Sequence, residues 1–303
     1  MLDLHITYKG GMLMEIRRIV AIVMYLLIMG SIVYFATLNL RENVEIKRQY
    51  TRVLETKELL LNIAFFIVAI SIVTLLFSLL VKKEKTHMIS AILLAILMYL
   101  SFYSLYSLCE MMRCTRYFVP LVLINTILWL MVIILRGHEL VQYVHEVLLV
   151  GTGTLTGIIM ATVIPERLLI ALLLFLSIYD IISVRVGLIK LLMDKTLSKI
   201  HEEHLEGPII KTLDLRDPIS LATAYVGLAN IGIGDIICYA IMMSMYGISF
   251  GEGFSILALM TIVVGSLALY YLMRKYEMKY APGLPIPIII SLALYFLLKF
   301  YYS

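Results

Sequence analysis

The sequence predicts an all-α membrane protein with nine transmembrane helices, because of its composition, its hydropathy and the spacing of its charges. Of its 303 residues, 62% are hydrophobic and 15% are charged, whereas an ordinary soluble domain has about 25% charged residues. The mean hydropathy of +0.98 exceeds what one buried core needs, and it excludes a disordered chain, since disordered chains are poor in apolar residues. The lipid bilayer is therefore the first expected partner.

Nine apolar runs bounded by charges are each close to the length of about 20 residues that a spanning helix needs. The fifth run is the weakest, because three glycines dilute it. The helices are expected at Ile19 to Leu38, Leu59 to Val81, Met88 to Leu108, Phe118 to Leu135, Val147 to Ile164, Leu168 to Leu191, Ile219 to Tyr246, Phe254 to Met273 and Ala281 to Tyr301.

A polar loop divides this single membrane domain into two parts. Residues 193–217 form the longest polar connection, so residues 1–192 carry six spans and residues 218–303 carry three. Lysine and arginine are more frequent on the side of the amino terminus and of this loop, which predicts that both are cytoplasmic in a cell membrane. Because nine is odd, the carboxyl terminus is expected outside. The net charge of +4 then reflects orientation, and nucleic acid is not expected as a partner.

Two acidic residues lie inside the predicted spans, where an ionised side chain is costly. Asp180 lies about a dozen residues into the sixth span, and Asp235 lies well inside the seventh. Because these spans are consecutive and antiparallel, the two carboxyl groups are expected at similar depth. For either aspartate alone, a structural role as a buried neutral acid or as a hydrogen-bonding group between helices explains the residue as well as a functional role does. The two together favour a shared site.

Two carboxyl groups a few ångström apart share one proton, so that one acts as a base on water while the other donates to a carbonyl oxygen. This is the chemistry of aspartic proteases, and it needs neither a metal nor a cofactor. The sequence His201-Glu202-Glu203-His204 invites a zinc interpretation, but the zinc-protease pattern has its histidines four residues apart. These histidines are three apart in a polar loop, so no metal site is expected.

Glycine and tyrosine flank the two acids. Gly232 and Gly234 precede Asp235 and would let the sixth span or a substrate backbone approach closely, although ordinary helix packing also uses small residues. Tyr179 precedes Asp180, and its hydroxyl is suited to bond an acid or a bound backbone, or its ring fills the core.

The ninth predicted span opens with three prolines in six residues, starting at Pro282-Gly283-Leu284. Irregular backbone within a membrane is tolerated only where protein buries it or water satisfies it, so this segment predicts a polar cleft on the cytoplasmic side. The alternative is a plain helix start with proline in the first turn.

Taken in order, Tyr179-Asp180, Gly232-Ile233-Gly234-Asp235 and Pro282-Gly283-Leu284 resemble the motifs of the presenilin and signal peptide peptidase family of intramembrane aspartyl proteases. The resemblance implies that Asp180 and Asp235 are the catalytic pair, and that the other named residues shape the site and place the substrate. Gly283 departs from the family's tripeptide, which has alanine there. The loss of one methyl group is expected to loosen the segment without removing its role.

The implied substrates are transmembrane segments of other proteins or signal peptide remnants, which unwind locally before cleavage. The short loop and the lack of extensions resemble a prokaryotic-type presenilin homologue without the partner subunits of the animal complexes, and a homo-oligomer stays open. Two other functions stay open as well. One is a prepilin or preflagellin peptidase, which also uses a Gly-x-Gly-Asp acid but has fewer spans. The other is an ion channel or proton-coupled transporter that uses the paired aspartates.

Overall fold

The computed structural model shows a helical protein with one small β-hairpin. It describes residues 19–20, 23–38, 56–83, 85–111, 115–135, 139–185, 218–226, 229–276 and 281–302. The loop 193–217, with His201-Glu202-Glu203-His204, lies outside the described residues.

The part that precedes the loop is helical where it is described, with one 3-10 turn at Thr115–Tyr117 before the fourth helix. Its helices are α1 (Val23–Leu38), α2 (Thr56–Lys82), α3 (Thr86–Met111), α4 (Phe118–Ile134), α5 (Glu139–Val163) and α6 (Glu166–Arg185). The part that follows the loop consists of α7 (Pro218–Ala222), β1 (Thr223–Val226), β2 (Ala229–Gly232), α8 (Ile233–Phe250), α9 (Glu252–Lys275) and α10 (Pro285–Tyr302).

Within the described residues, six helices are long and apolar enough to cross a membrane, namely α3, α5, α6, α8, α9 and α10. The apolar stretches described in α1, α2 and α4 are shorter. The 17 residues of α4 span about 26 Å, against a hydrocarbon core of about 30 Å. Large apolar side chains such as Leu61, Ile134 and Phe300 are exposed, as expected where lipid is the solvent. The chain is therefore a multi-pass helical membrane protein.

Helices α5 and α8 form the centre of the protein, since 67% of an 18-residue apolar stretch in each is buried inside the protein. Two of the glycines that dilute the fifth apolar run permit this contact. A Cβ atom on Gly157 would lie 2.6 Å from the Cβ of Ala240, and one on Gly153 would lie 2.9 Å from Ile236 Cγ2. Helix α5 starts at Glu139, so the start of the fifth span predicted at Val147 is wrong by eight residues.

The predicted seventh span, Ile219 to Tyr246, is wrong in its first half. That stretch forms α7 and then an antiparallel hairpin in which Thr223 pairs with Gly232 and Val226 pairs with Ala229. Threonine, tyrosine and valine favour strands, and glycine weakens a helix. Apolar composition does not distinguish a short strand from a helix. The spanning helix therefore begins at Ile233.

The helix of the predicted ninth span begins four residues later than the predicted start at Ala281. Residues 281–284 are not helical, and α10 starts at Pro285. Its first hydrogen bond runs from the Ile288 N–H to the Leu284 carbonyl oxygen, at 3.0 Å. Pro285 and Pro287 fall among the first helical positions, whose N–H groups have no partner within a helix anyway. Irregular backbone is thus followed by a helix start with proline in the first turn, and the polar cleft stays a prediction.

Candidate active site

Asp180 lies on α6 and contacts the non-helical segment that precedes α10. The backbone N–H of Leu284 donates to Asp180 Oδ2 at 3.0 Å. The side chain of Leu284 is buried in the core, whereas Asp180 remains partly exposed. The buried leucine therefore anchors the backbone group that binds the carboxylate.

Asp235 lies in the first turn of α8, where it is partly buried. The N–H of Gly232 donates to Asp235 Oδ2 at 3.3 Å. A carboxylate in the first turn satisfies a helix N-terminus in this way and interacts favourably with the helix dipole. The expected position well inside a helix is wrong, because the residues before Ile233 form the hairpin. The acid lies instead where a strand gives way to a helix.

Gly283 lies directly against the carboxyl group of Asp235. A Cβ atom built on Gly283 would lie 2.7 Å from Asp235 Oδ2 and 3.0 Å from its Cγ, closer than real Cβ atoms come. Since Asp180 binds Leu284, the two acids contact consecutive residues of one segment. With standard backbone dimensions, these contacts keep Asp180 Oδ2 and Asp235 Oδ2 at most about 10 Å apart. At this separation two carboxyl groups interact electrostatically in surroundings of low dielectric constant.

The two glycines before Asp235 differ in their surroundings. A Cβ atom on Gly232 would lie 3.5 Å from Asp235 Oδ2, which is an ordinary contact. Gly234 is exposed, and within the described structure a Cβ atom on it would meet nothing within 4 Å. The expected approach of the sixth span is therefore not seen at Gly234, and the space beside this glycine is open.

The other two predicted site residues, Tyr179 and Pro282, lie beside the acids. The Tyr179 hydroxyl and the Thr74 hydroxyl of α2 share a hydrogen bond of 2.5 Å, and the Tyr179 ring stacks on Phe175 with centroids 6.4 Å apart. Tyr179 thus connects α6 to α2 beside Asp180. Pro282 is partly buried and non-helical, one residue before the glycine that touches Asp235.

Tyr239 also belongs to this site, although no sequence motif singles it out. It is buried, and its hydroxyl donates to the Gly283 carbonyl oxygen at 2.9 Å. The available signal was its position four residues after Asp235, since residues four apart lie on the same face of a helix.

No protein-family model matches this chain, and no curated protein sequence is significantly similar to it. A fold alone does not define an activity, so a function has to be argued from the chemistry of the site.

Proposed function

We propose that this protein is an intramembrane aspartyl protease that uses Asp180 and Asp235 to hydrolyse a peptide bond of a transmembrane segment. One observation carries the proposal. Two carboxyl groups from different helices contact the consecutive residues Gly283 and Leu284, although they are 55 positions apart in the sequence. Acids in apolar spans mark functional sites by default, and a convergent pair is suited to acid and base catalysis.

The proposed mechanism needs one proton shared between the two acids, because like charges at close range disfavour a doubly ionised pair. The ionised carboxylate removes a proton from water while the water oxygen forms a bond to the carbonyl carbon. The protonated partner donates its proton to the carbonyl oxygen, which gives a tetrahedral diol. The carbon–nitrogen bond then breaks as the diol proton returns to one carboxylate and the other acid protonates the leaving amine.

Both water and an unwound substrate need access to the acids. Asp180 and Asp235 are partly exposed, and the space beside Gly234 is open. A transmembrane helix hides its peptide bonds in its own hydrogen bonds, so a substrate has to extend locally before it can be cleaved. In the proposed function, such an extended backbone lies against the strand-to-helix junction before Asp235.

The proposal includes nine spans with a cytoplasmic amino terminus, although only six helices of the described residues are both long and apolar enough to cross a membrane. Helix α2, with 27 residues, is long enough to cross as a whole. The shorter helices α1 and α4 cross if the bilayer thins around them, at a cost of fractions of a kcal/mol per ångström of mismatch.

Replacement of either acid by asparagine tests the proposal. In liposomes with a tagged single-span substrate, we expect the wild type to cleave, and Asp180→Asn and Asp235→Asn each to lower the rate at least about 100-fold. Glu252→Gln is a matched control, because Glu252 is also an acid in the first turn of a helix, α9, and it should retain full activity. Robust cleavage by either asparagine variant would contradict the proposal.

The same liposomes distinguish the other functions. A channel or transporter would conduct ions through the wild type, lose the flux in both asparagine variants and cleave no membrane peptide. A cleaved bond outside the spanning segment would favour the prepilin-type alternative. Mass spectrometry of the products locates the cleaved bond, which we expect within the spanning segment.

A further inference from the structure

The peptide group that joins Gly283 to Leu284 is held at both ends. Its carbonyl oxygen accepts a hydrogen bond from the Tyr239 hydroxyl at 2.9 Å, and its N–H donates to Asp180 Oδ2 at 3.0 Å. The described backbone contains no cis peptide bond, and in a planar trans peptide the C=O and N–H groups point in opposite directions. This one peptide group therefore connects α8 on one side with Asp180 of α6 on the other.

Helix α8 contacts Gly283 at two points that are one helical turn apart. The Asp235 carboxyl group lies against the glycine Cα, and Tyr239, four residues later, binds the carbonyl oxygen. Residues four apart in a helix lie on the same face. These two contacts fix the Gly283–Leu284 peptide group relative to Asp235, and the peptide group in turn determines where its N–H meets Asp180.

The segment depends on such side-chain contacts because it precedes the helix. Residues 281–284 are not helical, and buried backbone groups outside regular structure need other partners. Tyr239 is 4% exposed, so little water is available to replace its hydroxyl when it is removed. The loss of a partner from a buried group is destabilising for that reason.

We infer that Tyr239 is a positioning residue that sets the position of Asp180 relative to Asp235 through the Gly283–Leu284 peptide group. The inference rests on the proposed function, in which these two acids react. Tyr239 itself touches neither water nor substrate in this role. It acts on the reaction only through the segment that it holds.

The chain contains a matched control on the same pair of helices. Tyr246 lies two turns after Tyr239, and its hydroxyl donates to the Ser291 carbonyl oxygen of α10 at 2.6 Å. Its acceptor lies inside a regular helix, eight residues from Gly283. Tyr246→Phe therefore removes the same hydroxyl and the same kind of hydrogen bond without releasing the segment beside the acids.

Amide hydrogen exchange of the full chain in lipid nanodiscs tests the hydrogen bond without any need for catalysis. Because prolines occupy 282, 285 and 287, the stretch 282–287 has backbone amides only at Gly283, Leu284 and Ile286, so the Leu284 N–H is one of three amides that determine its exchange. We expect Tyr239→Phe to speed this exchange about tenfold, and Tyr246→Phe to leave it unchanged. Asp180→Ala, which removes the acceptor, should speed it as well. Unchanged exchange in Tyr239→Phe and Asp180→Ala would overturn the inference.

Kinetics with the tagged substrate test the positioning role. Tyr239→Phe should lower kcat about tenfold with KM within twofold of the wild type, whereas Tyr246→Phe should keep both values. Equal losses in the two variants, or faster exchange in Tyr239→Phe with normal kcat, would overturn the positioning role. If the wild type cleaves nothing, the proposed function fails, and faster exchange in Tyr239→Phe alone would still support the held peptide group. Exchange of the α8 interior verifies that each variant is folded.

Discussion

At the scale of single residues, Gly283 occupies a position that leaves no room for a side chain. The family that the sequence resembles has alanine at this position, and the sequence alone suggested that glycine only loosens the segment. In the structure, the space that a methyl group would occupy lies within 3.2 Å of three atoms of the Asp235 carboxyl group. Glycine therefore permits close contact between this segment and Asp235, whereas the methyl group of alanine would force the two apart.

Gly283→Ala should accordingly impair this protein. We expect a fall in kcat of about tenfold, since a displacement of about 1 Å in a reacting group costs up to about 100-fold in rate. The measurement is cleavage of the tagged substrate in liposomes. Gly253→Ala is the control, because within the described structure a Cβ atom on Gly253 meets nothing within 4 Å. Undiminished cleavage by Gly283→Ala would show that Asp235 adapts to the methyl group.

At the scale of helices and strands, the elements around α8 show where sequence reasoning reaches its limit. The two acids and the proline-rich segment are short motifs, and their residues could be singled out from the sequence because charges are rare in spans and closely spaced prolines interrupt a regular helix. The hairpin before Ile233 could not be predicted from the sequence, since apolar residues occur in short strands and in helices alike. Tyr239 was missed because its role depends on a backbone carbonyl 44 positions away, which no local pattern reveals.

The contact between α5 and α8 gives a prediction about stability. In Gly157→Ala the new methyl group would meet the carbonyl oxygen of Ile237 at 2.6 Å, which is rigid backbone, so the helices have to separate. Overpacking of this kind costs about 1–3 kcal/mol, and the apparent melting temperature in detergent should fall by about 3–8 °C. Gly151→Ala, on the same helix but with nothing described within 4 Å, should not lower it. Similar losses in both variants would contradict the packing argument.

At the scale of the whole molecule, the candidate site combines the two parts of the chain. Asp180 comes from the part that precedes the loop 193–217, whereas Asp235, Tyr239 and Gly283 come from the part that follows it. At the ends of the helices, Lys299 of α10 also pairs with Glu166 of α6. The segment before α10 donates a hydrogen bond to Asp180 and contacts Asp235, so it also links the two parts of the protein.

The nine-span topology predicts where each terminus and loop lies. Alkaline phosphatase fused after Ser303 should be active, because the enzyme needs an outside location, and green fluorescent protein inserted into the loop 193–217 should fluoresce in the cytoplasm. Reporter fusions at successive loops locate each crossing, including that of the 17-residue helix α4. A cytoplasmic location of residue 303 together with a cytoplasmic amino terminus would require an even number of spans and would contradict the proposed topology.

Asp235 has a second task besides its proposed chemistry, because it accepts the hydrogen bond of the Gly232 N–H and so closes the first turn of its own helix. Asparagine retains an oxygen that can accept that bond, whereas alanine leaves the N–H without it. Asp235→Ala therefore removes an acid and frays a helix end at once, and its loss of activity would have two causes. Only the asparagine variant separates the chemistry of the carboxyl group from the integrity of the turn that carries it.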